Sequence, residues 1–242
     1  MSRELYFSRA RLAFTKGVRT ASRGATRSYL VHQAVSGLFG SFDERPYLYR
    51  SDESRHEFET VLVLSSEEPR RASLLPEHFG IELEELETKR FPDALPQGAR
   101  LDFELRLNAT KDVPGRPGTR SKRVDVWEAV WRDDRETPVA PHDVYRSYLR
   151  RRLEGVAQIE TARITERGLV KVRRSLQGNA PIMFVATNVI GTLSVLDSAR
   201  LRERIASGIG RSRSLGCGLL CLSRPGTVLA RRHPSALTAH HI

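Results

Sequence analysis

The sequence predicts an α+β fold made of two consecutive β-α-β-β-α-β units. Three observations carry that expectation. Apolar and polar residues alternate in short runs, as in Leu101, Phe103, Leu105 and Leu107 against Asp102, Glu104 and Arg106. Between such runs, apolar residues recur at helical spacing, as in Leu30, Ala34 and Leu38 beside Val31, Val35 and Phe39. The same order of elements then appears twice in 242 residues, a length that suits two domains.

The first unit opens with a strand in "ELYFSRARLAF". The polar, glycine-containing stretch "TKGVRTASRGATRS" reads as a basic loop, and "YLVHQAVSGLF" as a helix. "RPYLYRS" and "TVLVLSS" are two further strands, followed by a short helix or loop near Leu74–Phe79. "ARLDFELRLNAT" closes the unit as its last strand, which gives the ferredoxin-like order. The Pro- and Gly-rich segment "KDVPGRPGTRSKR" marks a linker, or a long hairpin loop bordering one. The expected domains are therefore residues 1–112 and 121–224. In the second unit "VDVWEAVW" reads as a strand, and "PHDVYRSYLRRRLEG" as a helix with Pro141 near its start and Gly155 beyond its end. "GLVKVRR" and "IMFVATNVIGTLSVL" are strands or a hairpin. "DSARLRERIASG" is a helix, with Asp197 as N-cap and Gly208 as its stop, and "LGCGLLCLS" is the final strand. The polar residues 225–242 are expected to be a disordered tail.

Forty Lys and Arg face 29 Asp and Glu, a formal charge of +11. Such an excess attracts polyanions, either nucleic acid or an anionic membrane surface. Arginine greatly outnumbers lysine, and its planar fork binds phosphate bidentately and stacks on bases, which favours RNA. No apolar run reaches transmembrane length, and the N-terminus lacks the apolar core of a signal peptide. The two cysteines, Cys217 and Cys221, would share one face of an alternating strand as free thiols, which suits a reducing cytoplasm. No ligand pair at zinc spacing accompanies them, so neither a metal site nor a cofactor is expected.

Three constellations bear on chemistry. Tyr29, His32 and Ser36 cluster on the helix face opposite the apolar stripe, with Tyr29 and His32 three apart and therefore adjacent. Such a pair can take a proton from a hydroxyl nucleophile and give one to a leaving oxygen. The plainer alternative is an exposed surface Tyr and His. Next, "GIGRSRSLGCG" sets glycines at 208, 210, 216 and 218 around Arg211 and Arg213. It fits neither a Rossmann fingerprint nor a Walker A loop, and reads as a phosphate cradle or as a flexible helix-to-strand turn. Finally, "LVKVRRSLQGN" places Lys171 and Arg173 on one strand face beside Arg174, while "KDVPGRPGTRSKR" ends in Lys122 and Arg123. A basic hairpin can follow an RNA backbone, and a solvated charged face is the alternative.

These residues together resemble the CasE family, the CRISPR-repeat endoribonuclease of the subtype I-E Cascade complex. "YLVHQAVSGLF" looks like that family's Tyr-x-x-His-Gln helix, and "GIGRSRSLGCGLLCLSRPG" like its C-terminal glycine-rich loop and final strand. "FELRLNATK" with "SKRV", and "GTLSVLDSARLRERIASGIG", resemble further segments, so that the likeness spans about residues 5–225. Departures are Ser36 where relatives often carry a bulky aromatic, Arg213 where they often carry Lys, a longer loop before Tyr29, and the tail.

The resemblance implies a metal-independent endoribonuclease that recognises the repeat stem-loop and cuts at its 3′ base. The RNA's own 2′-hydroxyl attacks, leaving a 2′,3′-cyclic phosphate and a 5′-hydroxyl. The mature guide RNA then stays bound with the other Cascade subunits. His32 would transfer protons and Tyr29 would position or share that transfer. The expected RNA contacts are Arg23, Arg27, Ser36, Lys122, Arg123, Lys171, Arg173, Arg174, Gly208, Gly210, Arg211, Arg213, Gly216 and Gly218. Two other readings stand beside this one: a non-catalytic RNA-binding subunit of the same fold, and a ferredoxin-like metabolic enzyme or ligand sensor with incidental charge.

Overall fold

The computed structural model describes residues 3–14, 25–39, 46–52, 57–70, 80–114, 120–133, 139–174 and 180–226. Their secondary structure builds two four-stranded antiparallel sheets, each in a ferredoxin-like order. The first sheet comes from β1 (Tyr6–Phe14), β2 (Tyr47–Asp52), β3 (Phe58–Ser65) and β4 (Ile81–Arg90), with helix α1 (Arg27–Gly37) between β1 and β2. Its order is β2-β3-β1-β4, with the first and third strands central. Period-two alternation turns Ala10 and Leu12 of β1 and Val61 and Val63 of β3 to one face, where Leu30, Val31, Ala34, Val35 and Leu38 of α1 cover them. Each fully buried aliphatic side chain there contributes about 1.5–3 kcal/mol.

The second unit contains β5 (Arg100–Leu107), β6 (Thr110–Val113), β7 (Lys122–Asp125), α2 (Val126–Asp133), α3 (Pro141–Arg152), β8 (Ala157–Val172), β9 (Ile182–Val195), α4 (Ser198–Ser207) and β10 (Leu220–Ser223). Its sheet runs β10-β5-β9-β8, the same topology as the first. Gly191 of β9 is required by packing, since a Cβ there would lie 2.0 Å from the Thr161 carbonyl oxygen. The caps of α4 are those expected: the Asp197 side chain accepts from the Arg200 amide at 2.9 Å, and Gly208 ends the helix at φ 75°. Spatially, one unit gathers the described residues of Met1–Asp93, Leu169–Phe184 and Ser212–Leu219. The other gathers those of Ala94–Gly168, Val185–Arg211 and Leu220–Ile242.

Three element assignments change. "ARLDFELRLNAT", expected to close the first unit, is β5 and pairs with β9 and β10 in the second sheet. The strand that does close the first sheet is β4, "IELEELETKR". Its alternation is broken by a bulge: Leu12 faces Leu83 while Arg11 faces Glu85, so one β4 residue is extra. Ile81 and Leu83 therefore fall out of phase with Leu86, and four glutamates hide the rest of the pattern. "VDVWEAVW" is not one strand. Strand β7 stops at Asp125 and α2 begins at Val126, with the Asp125 carboxylate accepting from the Trp127 amide at 3.1 Å. Of the two readings of "KDVPGRPGTRSKR", the hairpin holds: its two ends lie in β6 and β7, which pair antiparallel.

The last strand is shorter than expected and starts at Leu220, so Cys217 precedes it and no strand aligns the two cysteines. Among the described residues neither is in a disulfide. The helix or loop expected near Leu74–Phe79 and the tail from residue 227 lie outside the described residues. Among the described residues no helix is long and apolar enough to cross a membrane.

Candidate active site and nucleic-acid interface

Helix α1 begins after Thr26, an extended N-cap residue, and its first turn carries no acidic side chain. Tyr29 and His32 sit one turn apart with ring centroids 6.3 Å apart and planes tilted by 53°. The pair expected from spacing is thus formed. Its setting differs from expectation, because His32 is only 9% exposed. A helical wheel of α1 alone leaves that face to solvent. The 3₁₀ turn Arg213–Leu215, far along the chain, packs against α1 and β2. Ser36 is buried as well, and its hydroxyl is 2.5 Å from the Tyr47 hydroxyl.

Arg27 is also engaged internally. Its Nε donates to Glu59 Oε2 at 2.5 Å, and its guanidinium lies over the Phe14 ring at 3.9 Å. Glu59 is 1% exposed and also accepts from the Ser51 hydroxyl. Arg27 therefore neutralises a buried carboxylate. Arg23 lies outside the described residues.

The end of β8 brings Arg173 to the start of α1, with Lys171 and Arg174 close to it in sequence. Lys171 and Arg174 are exposed and Arg173 is half-buried. The Thr26 amide donates to the Arg173 carbonyl at 2.9 Å, and the Arg173 amide donates to the Thr26 hydroxyl at 3.1 Å. No sequence pattern announces this contact across 147 positions. Leu169, Ile182 and Met183 on the same strands are exposed large apolar residues, which is unusual on a basic hairpin.

The glycine-rich loop is built differently from an open phosphate cradle. Gly210 (φ +83°) leaves no room for a Cβ, which would meet the Asn108 carbonyl oxygen at 2.8 Å. Gly216 (φ +79°) faces the Tyr49 ring, with a Cβ position 3.1 Å from Cε2. The Tyr49 hydroxyl donates to the Ser214 carbonyl at 3.2 Å and anchors the turn. Several amides of the loop donate inward: Gly208 to Arg204, Arg211 to Asn108, and Leu215 and Cys217 to Ser212. Gly208, Gly216 and Gly218 are buried. The glycines thus shape the loop, and the exposed groups it offers to a phosphate are the side chains of Arg211 and Arg213.

Lys122 and Arg123 are exposed on β7, and Arg123 already pairs with Asp112 at 3.2 Å. Among the described residues no group of three or more His, Cys, Asp or Glu side chains could hold a metal ion.

Residues 5–224 match the CRISPR associated protein family. The chain belongs to the CasE family. Over 90% of its length it is similar to 99% of the CRISPR-associated protein Cas6e from Escherichia coli K-12, at 22% identity and TM-score 0.63. Over 91% it is similar to 99% of Thermus thermophilus Cse3 bound to an RNA representing a pre-cleavage complex, at 26% identity and TM-score 0.65. A chain of a CRISPR RNA-guided surveillance complex is similar at 20% identity and TM-score 0.57, covering 90% of this chain and 99% of that one. No curated protein matches. The fold of this CasE-family chain is α+β with tandem ferredoxin-like domains, as the two sheet orders also require.

Proposed function

We propose that this CasE-family chain is a metal-independent endoribonuclease that binds the stem-loop of CRISPR repeat RNA and cuts at its 3′ base. The observation that carries this reading is the likeness, across 99% of that chain, to a Cse3 bound to pre-cleavage RNA. The 2′-oxygen beside the scissile phosphate attacks phosphorus, and the bond from phosphorus to the 5′-oxygen breaks. One proton leaves the nucleophile and one reaches the leaving oxygen, giving a 2′,3′-cyclic phosphate and a 5′-hydroxyl. His32 transfers protons, since an imidazole ring can accept a proton at one nitrogen and donate one from the other. Tyr29, one helical turn away, positions the reacting groups or shares the transfer. Lys171, Arg173, Arg174, Arg211 and Arg213 hold phosphates of the RNA, with Lys122 and Arg123 as further contacts. The cut guide RNA stays bound within Cascade in the cytoplasm.

The burial of His32 favours a second reading, in which that histidine is a packing residue and the chain is a non-catalytic RNA-binding subunit. One assay separates the two. The purified protein should cut its repeat hairpin in excess EDTA, and a single 2′-deoxy substitution beside the scissile phosphate should abolish cutting while binding survives. Efficient cleavage of the deoxy substrate at the normal site would refute internal attack. Absence of cleavage of the all-ribose hairpin would establish the second reading.

A further inference from the structure

Thr26 occupies the N-cap of α1, yet its hydroxyl makes no hydrogen bond to an amide of its own helix. An N-cap hydroxyl ordinarily accepts from the second or third helical amide. Here it accepts from the Arg173 amide at 3.1 Å, and it lies 3.4 Å from the Arg173 carbonyl. The Thr26 amide donates to that same carbonyl at 2.9 Å. The start of α1 is thus fastened to the end of β8 rather than closed on itself. No acidic side chain in the first turn offers an alternative closure. Tyr29 is three residues into the helix and His32 six, so the orientation of both follows the direction in which the helix starts.

We propose that Thr26 is a positioning residue that couples the basic hairpin's hold on RNA to the placement of Tyr29 and His32. This rests on the endoribonuclease reading above. RNA held by Lys171, Arg173 and Arg174 fixes the end of β8. Through Thr26 that strand end fixes the first turn of α1, which carries Tyr29 and leads into the turn that carries His32. Removing the hydroxyl leaves the RNA contacts in place and loosens the geometry in which chemistry occurs. A misplacement on the order of 1 Å is enough to cost about a hundredfold in rate.

The test separates binding from chemistry. Binding is measured with the non-cleavable deoxy hairpin, and chemistry as the single-turnover rate at saturating protein. T26V should bind within about threefold of wild type and cut at least about tenfold more slowly, because the lost bond serves orientation rather than affinity. T26S, which restores the hydroxyl, should return the rate to within about threefold of wild type, as an orientation role requires. Arg173→Pro removes the amide donor and should cut more slowly than Arg173→Ala, which loses only the side chain. Should T26V fail to fold, T26S and the Pro-to-Ala pair still decide the matter. Wild-type rates in T26V, an unrescued T26S, or equal rates for the two Arg173 variants would overturn the coupling. A wild-type protein that binds the all-ribose hairpin without cutting it would overturn the coupling together with the reading beneath it, and that failure is visible before any variant is made.

Discussion

Helices α1 and α3 each lead into the second strand of their own ferredoxin-like unit, and each carries a buried or half-buried tyrosine. Their polar settings are opposite. The Tyr145 hydroxyl on α3 donates to the buried Asp125 carboxylate at 2.5 Å and accepts from Thr187 at 2.9 Å, with Arg167 Nε 3.4 Å away. Burial, and then the hydrogen bond to Asp125, push the Tyr145 phenol up to about 12. Arg167 also pairs with Asp125 at 3.0 Å, so charge and hydrogen bonds close on themselves. On α1, Tyr29 is half-buried beside His32, the first turn has no acid, and the neighbouring strand end brings Arg173 and Arg174. One helix uses its tyrosine to lock a fold. The other carries Tyr29 and His32 behind an N-cap residue bonded to the Arg173 backbone. The shared topology places both helices, and the residues around them set how each is used.

The comparison breaks most sharply at His32. His32→Ala should slow cleavage by about two or more orders of magnitude and leave repeat affinity within a few-fold, the usual signature of lost acid–base catalysis. Because His32 is buried, the melting temperature of the variant is measured alongside the rate. A folded variant that cuts normally would remove His32 from the chemistry.

Tyr145→Phe should do the converse. It orphans the Thr187 hydroxyl and thins the Asp125 network, costing about 1–3 kcal/mol of stability while the single-turnover rate stays within about twofold. The alkaline limb adds a second measurement. With its pKa raised, Tyr145 stays protonated in the folded chain above the ordinary value of 10.0, where the unfolded chain ionises. Its contribution is complete below pH 10 and is lost as pH rises toward about 12. The wild type should lose about 2–3 kcal/mol over that window through this group, from about 1.4 kcal/mol per pH unit. The Phe variant should lack that component of the loss in alkaline denaturant titrations, and parallel pH curves for the two proteins would show that the phenol is not held this way.

Much of the fold was legible because local periodicity writes it. The alternation in β1 and β3, the Asp197 and Gly208 caps of α4, and the repeated order of elements all reflect short-range physics. What escaped was written elsewhere in the chain. The bulge in β4 is set by its pairing with β1, and the place of β5 by partners eighty or more residues later. Asp102 and Arg106 look solvent-facing in an alternating strand and are buried in the sheet. At the site, Tyr29 and His32 were legible from spacing on one helix. The burial of His32 and Ser36 was not, because one helix's spacing does not show what distant segments pack against it, as Tyr47 does on Ser36. Nor does composition separate an arginine that binds a buried carboxylate from one that faces outward.

That last distinction gives the finest test. Replacing Lys171, Arg173 and Arg174 by Gln should weaken repeat binding and reduce the slope of log affinity against log salt by about 2, since each lost phosphate contact removes about 0.7–0.9. Arg27→Gln should leave that slope unchanged, although the residue lies just before Tyr29 on the same helix. Its guanidinium is committed to Glu59 and to the Phe14 ring, so no counterion release from RNA depends on it. Its loss should appear as stability, about 1–3 kcal/mol, because the buried Glu59 carboxylate loses its cation. The two arginine classes then separate along independent axes, salt slope for the hairpin and melting for Arg27. A reduced slope in Arg27→Gln at unchanged stability would mean that Arg27 leaves Glu59 for phosphate when RNA binds, and that α1 holds the RNA directly.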